Sequence, residues 1–443
     1  MSRPLVTVWA ERDSPRLRFV LDWLLGERLN LEYRLVHDRS EAAATPHCIA
    51  YGWMEAAVSI HASSLLWEHN IINQVVERRE WQGLYAPYFS EESPCDIQFD
   101  MLAGIFYLLT RHEEYGNFTP DRHGRYPAEQ SILYQDGVLE RPVVDEWVEA
   151  LRLFLQEAWH IDVPVADFTY QPSYDIDIAW SYQYKGLKRT IGAAVLDLAT
   201  GKPARLAQRL RVLLRKEADP YNAFIWLASQ HMQYGLRPIW FFLAALRPSR
   251  HDRNISPRHP RMAALIKAFS EGAATGVHPS YYSDRHPKRL LEEKAVLESI
   301  TGRKITVSRQ HYIKLRFPQV YQALLAAGIE EDYSMGYSTH FGFRAGTGSP
   351  FWWYDLSAEK VTALRVHPFV FMDTTGRYDM GLSAEASFQK LHEMTEKLMA
   401  ANSTLVTIFH NFSLGTDEGW AGWRKGYESF LRKIAELGAI PPG

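Results

Sequence analysis

Four short segments carry residue types that could do chemistry together. Ser173-Tyr174-Asp175-Ile176-Asp177 sets two carboxylates two residues apart. On a β-strand, positions i and i+2 point the same way, so both acids would face one side of the strand end. Held that close they repel, and the pair either contains a stronger base or attracts a cation. Gly276-Val277-His278-Pro279-Ser280 ends a strand-like run in an imidazole, and the proline fixes the turn behind it. Ser308-Arg309-Gln310-His311-Tyr312 adds a second imidazole and a cation, and Ile408-Phe409-His410-Asn411 adds a third imidazole. One Asp with two His is a common donor set for a zinc-type ion that keeps a position open for water. The remaining Asp and His then suit general base and general acid.

Such a set needs a scaffold that gathers strand ends. From about residue 168 the sequence alternates strand-like runs (168–176, 239–243, 274–278, 305–309, 329–333, 363–371, 404–410) with helical ones (260–270, 288–300, 318–327, 384–401, 421–437). Seven strands with helical crossovers predict a parallel α/β fold, a distorted (β/α) barrel over residues 166–443. In barrels of this kind the chemistry sits at the C-terminal ends of the strands. Asp175, Asp177, His278, Arg309, His311, Asp332 and His410 all fall at such ends. Residues 1–165 read as a smaller α+β domain, with strands at 5–9 and 31–36 and amphipathic helices at 15–29, 100–115 and 143–160. His112-Glu113-Glu114, at one helix end, reads as a polar terminus rather than a metal cluster.

The bulk properties fit this picture. A chain of 443 residues is long for one core, so two domains are expected. Its formal net charge of −3 offers no global field for nucleic acid. The 14 Trp, 23 Tyr and 21 Phe suit a large core or a sugar-handling cleft. Cys48 and Cys95 are the two cysteines, and nothing in their spacing asks for a disulfide, which favours a reducing compartment. The first residues lack the apolar run of a secretory signal. No stretch reaches the roughly 18 to 20 apolar residues of a membrane span, so a cytoplasmic location is expected. One insertion, Lys185–Lys216, carries nine Lys/Arg against the single acid Asp197, with Leu206, Leu210, Leu213 and Leu214 in a partial apolar stripe. It reads either as a solvated helix packed on the barrel or as a contact for an anionic membrane or lipid head group.

Taken in order, the four segments resemble the polysaccharide deacetylase superfamily (the NodB-homology carbohydrate esterases), in a divergent bacterial branch with an extra N-terminal domain. That family's pattern opens with Thr-Phe-Asp-Asp, continues with His-Ser/Thr-x-x-His and Arg-x-Pro-Tyr, and closes with Leu-x-His. Here Ser173–Asp177, His278–Tyr282, Arg309–Tyr312 and Ile408–His410 stand in those places, and the resemblance spans roughly residues 168–437. The stretch from Asp332 through Gly342-Phe343-Arg344-Ala345-Gly346-Thr347 is similar to the same branch. Three departures matter. Ile176 splits the aspartate pair, Tyr282 stands where the second metal-binding His would be, and His311 replaces the proline of the third motif. The compensating expectation is that His311 supplies the missing ligand.

The resemblance implies a divalent metal, zinc by preference, on Asp177, His278 and His311. Asp175 would be the base, held ionised by Arg309 or Arg344, and His410 the acid. It implies removal of N-acetyl groups from a sugar or glycan precursor in surface polysaccharide metabolism. The loss of one ligand His keeps two rivals open. One is a hydrolase of another amide or O-acetyl substrate; the other is a non-catalytic glycan-binding or scaffold protein. Oligomeric state is not readable from the sequence.

Overall fold

The computed structural model describes residues 4–55, 57–71, 74 and 76–438. Near the start, β1 (Leu5–Ala10), β2 (Glu32–Val36), β3 (Cys48–Tyr51) and β4 (Val58–Ile60) form a sheet in the order β2-β1-β3-β4. Every pairing in it is parallel. Strands and helices therefore interleave here instead of segregating as in the expected α+β unit. A hairpin of β5 (Arg78–Trp81) and β6 (Leu84–Pro87) stands apart. The helices Met101–Leu109 and Val143–Trp159 carry the apolar faces that the sequence shows at helical spacing.

The larger sheet comprises β7 (Thr169–Ile176), β8 (Ile239–Leu243), β9 (Ala274–His278), β10 (Val307–Ser308), β11 (Glu331–Met335), β12 (Phe351–Asp355), β13 (Lys360–Pro368), β14 (Phe371–Met372) and β15 (Thr404–His410). Its order is β12-β13-β11-β10-β9-β8-β7-β15-β14. The expected count of about seven becomes nine for two reasons. The expected strand at 363–371 is divided, and β12 adds an antiparallel partner on β13. The division has a physical cause. Phe369 N–H donates to Met335 O, whereas Val370 N–H donates to Val406 O, so consecutive residues bond to opposite sides of the barrel. One stretch of chain thus reaches both ends of the order, and the sheet curls into a distorted half-barrel.

Side-chain alternation along these strands fixes what faces inward. Ile239, Phe241, Tyr333, Phe369, Val406 and Ile408 pack together as an inner plug. Phe241 fills the space beside Gly276, where an added Cβ would lie 2.5 Å from the ring. Two residues past the plug on β15, and two past Gly276 on β9, come His410 and His278. The same rule sends Asp332 the other way. Its neighbour Tyr333 points in, so Asp332 points out and accepts from Ser308 Oγ at 2.7 Å. Asp332 is buried and is not part of the strand-end constellation, contrary to expectation.

A single apolar cluster runs from the small sheet into the large one. Buried polar contacts cross the same boundary. Asp145 accepts from Thr347 Oγ1, Gly348 N and Ser349 Oγ at 2.8–3.0 Å, and Trp23 Nε1 donates to Pro350 O at 3.0 Å. His112-Glu113-Glu114 is not a solvated helix end. Glu114 is buried and bridges Arg111 and Arg344, so the Gly342–Thr347 segment is bolted to the N-terminal region. Because Phe241 both fills the barrel and supports the site, Phe241→Ala should cost about 3–5 kcal/mol. Equilibrium denaturant unfolding reads this, and an unchanged midpoint and slope would contradict the plug.

Candidate metal centre and active site

β7 ends at Ile176, and the chain bends at once, so Asp175 and Asp177 both reach the barrel mouth. Parallel neighbours bring the other groups alongside. β8 and β9 carry His278 to the end of its strand, and the short turn after β10 presents Arg309 and His311. β15 ends at His410, directly opposite Asp175 in the ladder. Asp175, Asp177, His278, His311 and His410 line a cavity of about 430 Å³, with Arg309 buried behind them. Asp177, His278 and His311 offer ligand atoms that all lie within 4.8 Å of one another, a group able to hold a metal ion.

The orientation of each ring is set from behind. His278 Nδ1 lies 2.6 Å from Arg309 O, a carbonyl that can only accept, so this nitrogen carries the proton. In the neutral ring Nε2 then presents a lone pair, 3.1 Å from Asp177 Oδ1. That oxygen is buried and has no hydrogen-bond partner. Two lone pairs this close repel unless a cation or a proton lies between them. His311 Nδ1 sits 3.2 Å from Asp252 Oδ1, leaving Nε2 facing Asp177 Oδ2 at 3.5 Å. This is the carboxylate–imidazole backing that orients metal-binding histidines. The donor set of one carboxylate and two imidazole nitrogens suits zinc with a position left open. Asp177 keeps 19% of its side chain exposed, toward the cavity, whereas both imidazoles are almost wholly buried.

Electrostatics follow the same wiring. Burial alone would raise the Asp177 carboxyl, but the His311 and His278 imidazoles outweigh it and hold the group well below the usual carboxylate range. Burial pushes His311 down, while the Asp177 and Asp252 carboxylates push it up further, to about 9. A cation on Nε2 would have to displace that proton. His410 is held well above an ordinary histidine: burial opposes the charge, and Asp373 followed by Asp177 overcomes it. The decisive contact is Asp373 Oδ1 on His410 Nδ1 at 2.7 Å, while Asp373 Oδ2 accepts the His410 backbone N–H, also at 2.7 Å. His410 Nε2 then points at Asp177 Oδ2 from 3.5 Å.

Asp175 is 2% exposed and is gripped by Arg309, whose Nη1 donates to Oδ1 at 2.8 Å. Arg309 also donates to Ser173 Oγ and Tyr333 O, and stacks over Phe241 at 4.2 Å. Each of its three nitrogens is thus engaged on a group that fixes one orientation. Arg344 does not share this task. It is committed to Glu114, with Nε donating at 2.8 Å, and lies outside the cavity lining. Tyr282 is 37% exposed and does not line the cavity, so it takes no ligand position.

Three groups of residues are not picked out by sequence reasoning. Asp252 lies in the long loop after β8, whereas Asp373 directly follows β14, where the strand-end rule applied to 363–371 points. The third group comes from the N-terminal region. Arg122, His123 and Arg125 line the cavity beside His251 and Arg253. Arg125 donates to Tyr312 O at 2.7 Å, and His123 Nδ1 lies 2.8 Å from Tyr281 Oη. Nothing local in Asp121–Arg125 marks it as a pocket wall; only the docking of the two regions puts it there.

Residues 6–160 match the family described as "Family of unknown function (DUF7033)". No curated protein is recognisably similar in sequence to the chain. Among solved structures, one described as a polysaccharide deacetylase from Mycobacterium smegmatis is 11% identical, with a TM-score of 0.42, covering 63% of this chain and 88% of that one. Another so described, from Pseudomonas aeruginosa PAO1, is 13% identical with a TM-score of 0.41, covering 62% and 87%. A CE4 family pseudoenzyme from Bacillus anthracis is 8% identical with a TM-score of 0.30, covering 51% and 60%. Likenesses this distant do not assign an activity.

The Asp373–His410 contact makes a direct prediction. In the metal-free protein, Asp373→Asn should lower the His410 titration midpoint, because the carboxylate that most favours the charged imidazole is lost. Histidine NMR titration reads it, and an unmoved midpoint would mean that Asp373 does not hold the proton.

Proposed function

We propose that the chain is a metal-dependent hydrolase that removes N-acetyl groups from a sugar. The observation that supports this most directly is the convergence of Asp177, His278 and His311 beside an arginine-held carboxylate and an aspartate-backed imidazole. A divalent cation, zinc by preference, would be held on those three residues and would supply Lewis acidity and an acidified water. Asp175 takes the proton of the attacking water, and Arg309 keeps it aimed. His410, protonated through Asp373, delivers a proton to the departing amine nitrogen. Asp252 and the Arg309 carbonyl hold the two ligand imidazoles in the tautomers that a cation requires.

The substrate is proposed to be an acetamido sugar on a nucleotide- or lipid-linked precursor of a surface polysaccharide, met inside the cell. The cations Arg122, Arg125 and Arg253 around the cavity suit such an anionic carrier. Residues 1–165 would serve as an accessory unit that completes the wall. The same chemistry would open another amide or an O-acetyl ester, and only turnover of each class separates these.

Two outcomes check the reading. Acetate release from acetamido sugars by the zinc-loaded protein should fall by about 10²- to 10⁴-fold in Asp175→Asn, the usual worth of a positioned acid–base group. If the wild type binds glycan and releases no acetate, the non-catalytic glycan-binding reading replaces this one. In the active protein the rate should decline as pH rises past the His410 value, because the acid form is the one used. Asp373→Asn, by lowering that value, should shift the alkaline limb to lower pH. A pH–rate profile with an unmoved alkaline limb would remove His410 from the acid role.

A further inference from the structure

The insertion between β7 and β8 folds as two helices, Leu187–Ala199 and Pro203–Leu213. The first presents an aliphatic stripe to solvent. Leu187, Ile191, Val195 and Leu198 follow the spacing i, i+4, i+8, i+11 and so share one face, and each is more than half exposed. Asp197, off that stripe, is the residue that is buried. Leu210, Leu213 and Leu214 extend the exposed apolar surface onto the second helix. A soluble protein rarely leaves a run of this kind uncovered.

Charge says what covers it. Lys185–Lys216 carries nine cationic side chains against one acid, a net of +8 in a chain whose total is −3. Arg209 is committed to Asp197, and Arg211 pairs with Glu217. Lys188, Lys202, Arg215 and Lys216 have no acidic partner among the described residues. A second copy would bring like charge to like charge across a two-fold contact. An anionic lipid surface satisfies both features at once, taking the aliphatic stripe into its acyl boundary and the cations among its head groups.

The hairpin's position gives this surface a use. The chain leaves the cavity at Ile178 and returns to it at Tyr221, so both roots of the insertion line the candidate site. Asp219 ties those roots together, accepting the backbone N–H groups of Ser181, Tyr182 and Gln183 at 2.8–3.0 Å. Arg189 Nη2 donates to the carbonyl of Arg253, itself a cavity residue, at 3.0 Å.

We propose that the Leu187–Lys216 hairpin docks on an anionic bilayer surface and sets the cavity mouth against it. The docking stands on the hairpin alone. Its consequence, presentation of a lipid-borne acetamido sugar, rests on the hydrolase reading above.

The test is sedimentation of the full chain with vesicles of phosphatidylcholine alone and of phosphatidylcholine mixed with phosphatidylglycerol. Binding is expected on the mixed vesicles and should weaken as salt rises. The triple substitution Lys202→Gln, Arg215→Gln, Lys216→Gln should weaken it on the order of 100-fold, at about tenfold or less per charge near the surface. The second triple, Ile191→Gln, Val195→Gln, Leu198→Gln, should abolish it. All six side chains are exposed, so the unfolding midpoints should match wild type, and either triple alone suffices if the other fails to fold. The proposal is overturned by wild-type protein that ignores anionic vesicles or binds neutral ones equally. It is also overturned by undiminished binding in both triples, or by sedimentation equilibrium showing a dimer that the aliphatic triple dissolves. Asp177→Ala should leave vesicle binding intact, so loss of docking and loss of hydrolysis are separable.

Discussion

Everything at the barrel mouth is arranged around one carboxylate. Asp177 has both oxygens turned toward imidazole nitrogens, with His278 3.1 Å from Oδ1 and His311 and His410 each 3.5 Å from Oδ2. Burial makes a bare carboxylate costly, and hydrogen bonds to charged partners or a metal are the ways to offset that cost. In its neutral form His278 offers Oδ1 no donor, because its one proton is on the Arg309 carbonyl. A proton or a cation shared between the aspartate and the imidazoles offsets the cost.

The groups behind the first contacts divide the labour. Asp252 and Asp373 each back one imidazole, yet with different results. His311, facing Asp177 and Asp252, is poised to exchange a proton for a cation, while His410, clamped by two contacts to Asp373, keeps its proton. Arg309 is the hinge of the arrangement. Its side chain fixes Asp175, its backbone carbonyl fixes His278, and the inner plug residue Phe241 supports its guanidinium. The N-terminal region closes the remaining wall with Arg122, His123 and Arg125, held in place by the buried Glu114–Arg344 pairing some distance away.

Much of this is legible from period-two patterning and strand-end position alone. Asp175, Asp177, His278, Arg309, His311 and His410 come together as those signals imply, because each sits at or within a few residues of the C-terminal end of a strand, and on β15 the plug residue Ile408 sets the inward parity of His410 two places on. The same signals fail where parity is ignored. Asp332 is the second residue of β11 and one place from Tyr333, so it points away from the barrel interior, toward Ser308. Arg344 fails for another reason. A cation in a glycine-rich loop could serve any buried acid, and only the packing of residues 1–165 against the barrel decides that the acid is Glu114. The split between β13 and β14 is likewise invisible locally, since only barrel closure makes the two halves of the run 363–371 bond to different neighbours.

The hairpin after β7 sharpens the contrast. Its charge is plain in the sequence, but the stripe noticed there, Leu206 to Leu214, is the lesser one. The broader exposed face lies on the first helix, where neighbouring positions are also apolar and no alternation announces which side is left bare.

The central claim is that Asp177, His278 and His311 form one cation site, with His311 as the replacement ligand. X-ray absorption at the zinc edge, on wild type and on His311→Ala, tests it most directly. One equivalent of zinc with two imidazole nitrogens and a carboxylate oxygen at about 2.0–2.2 Å, reduced to one imidazole or lost in His311→Ala, is the predicted result. Zinc bound with the same content and ligands in both proteins would contradict it.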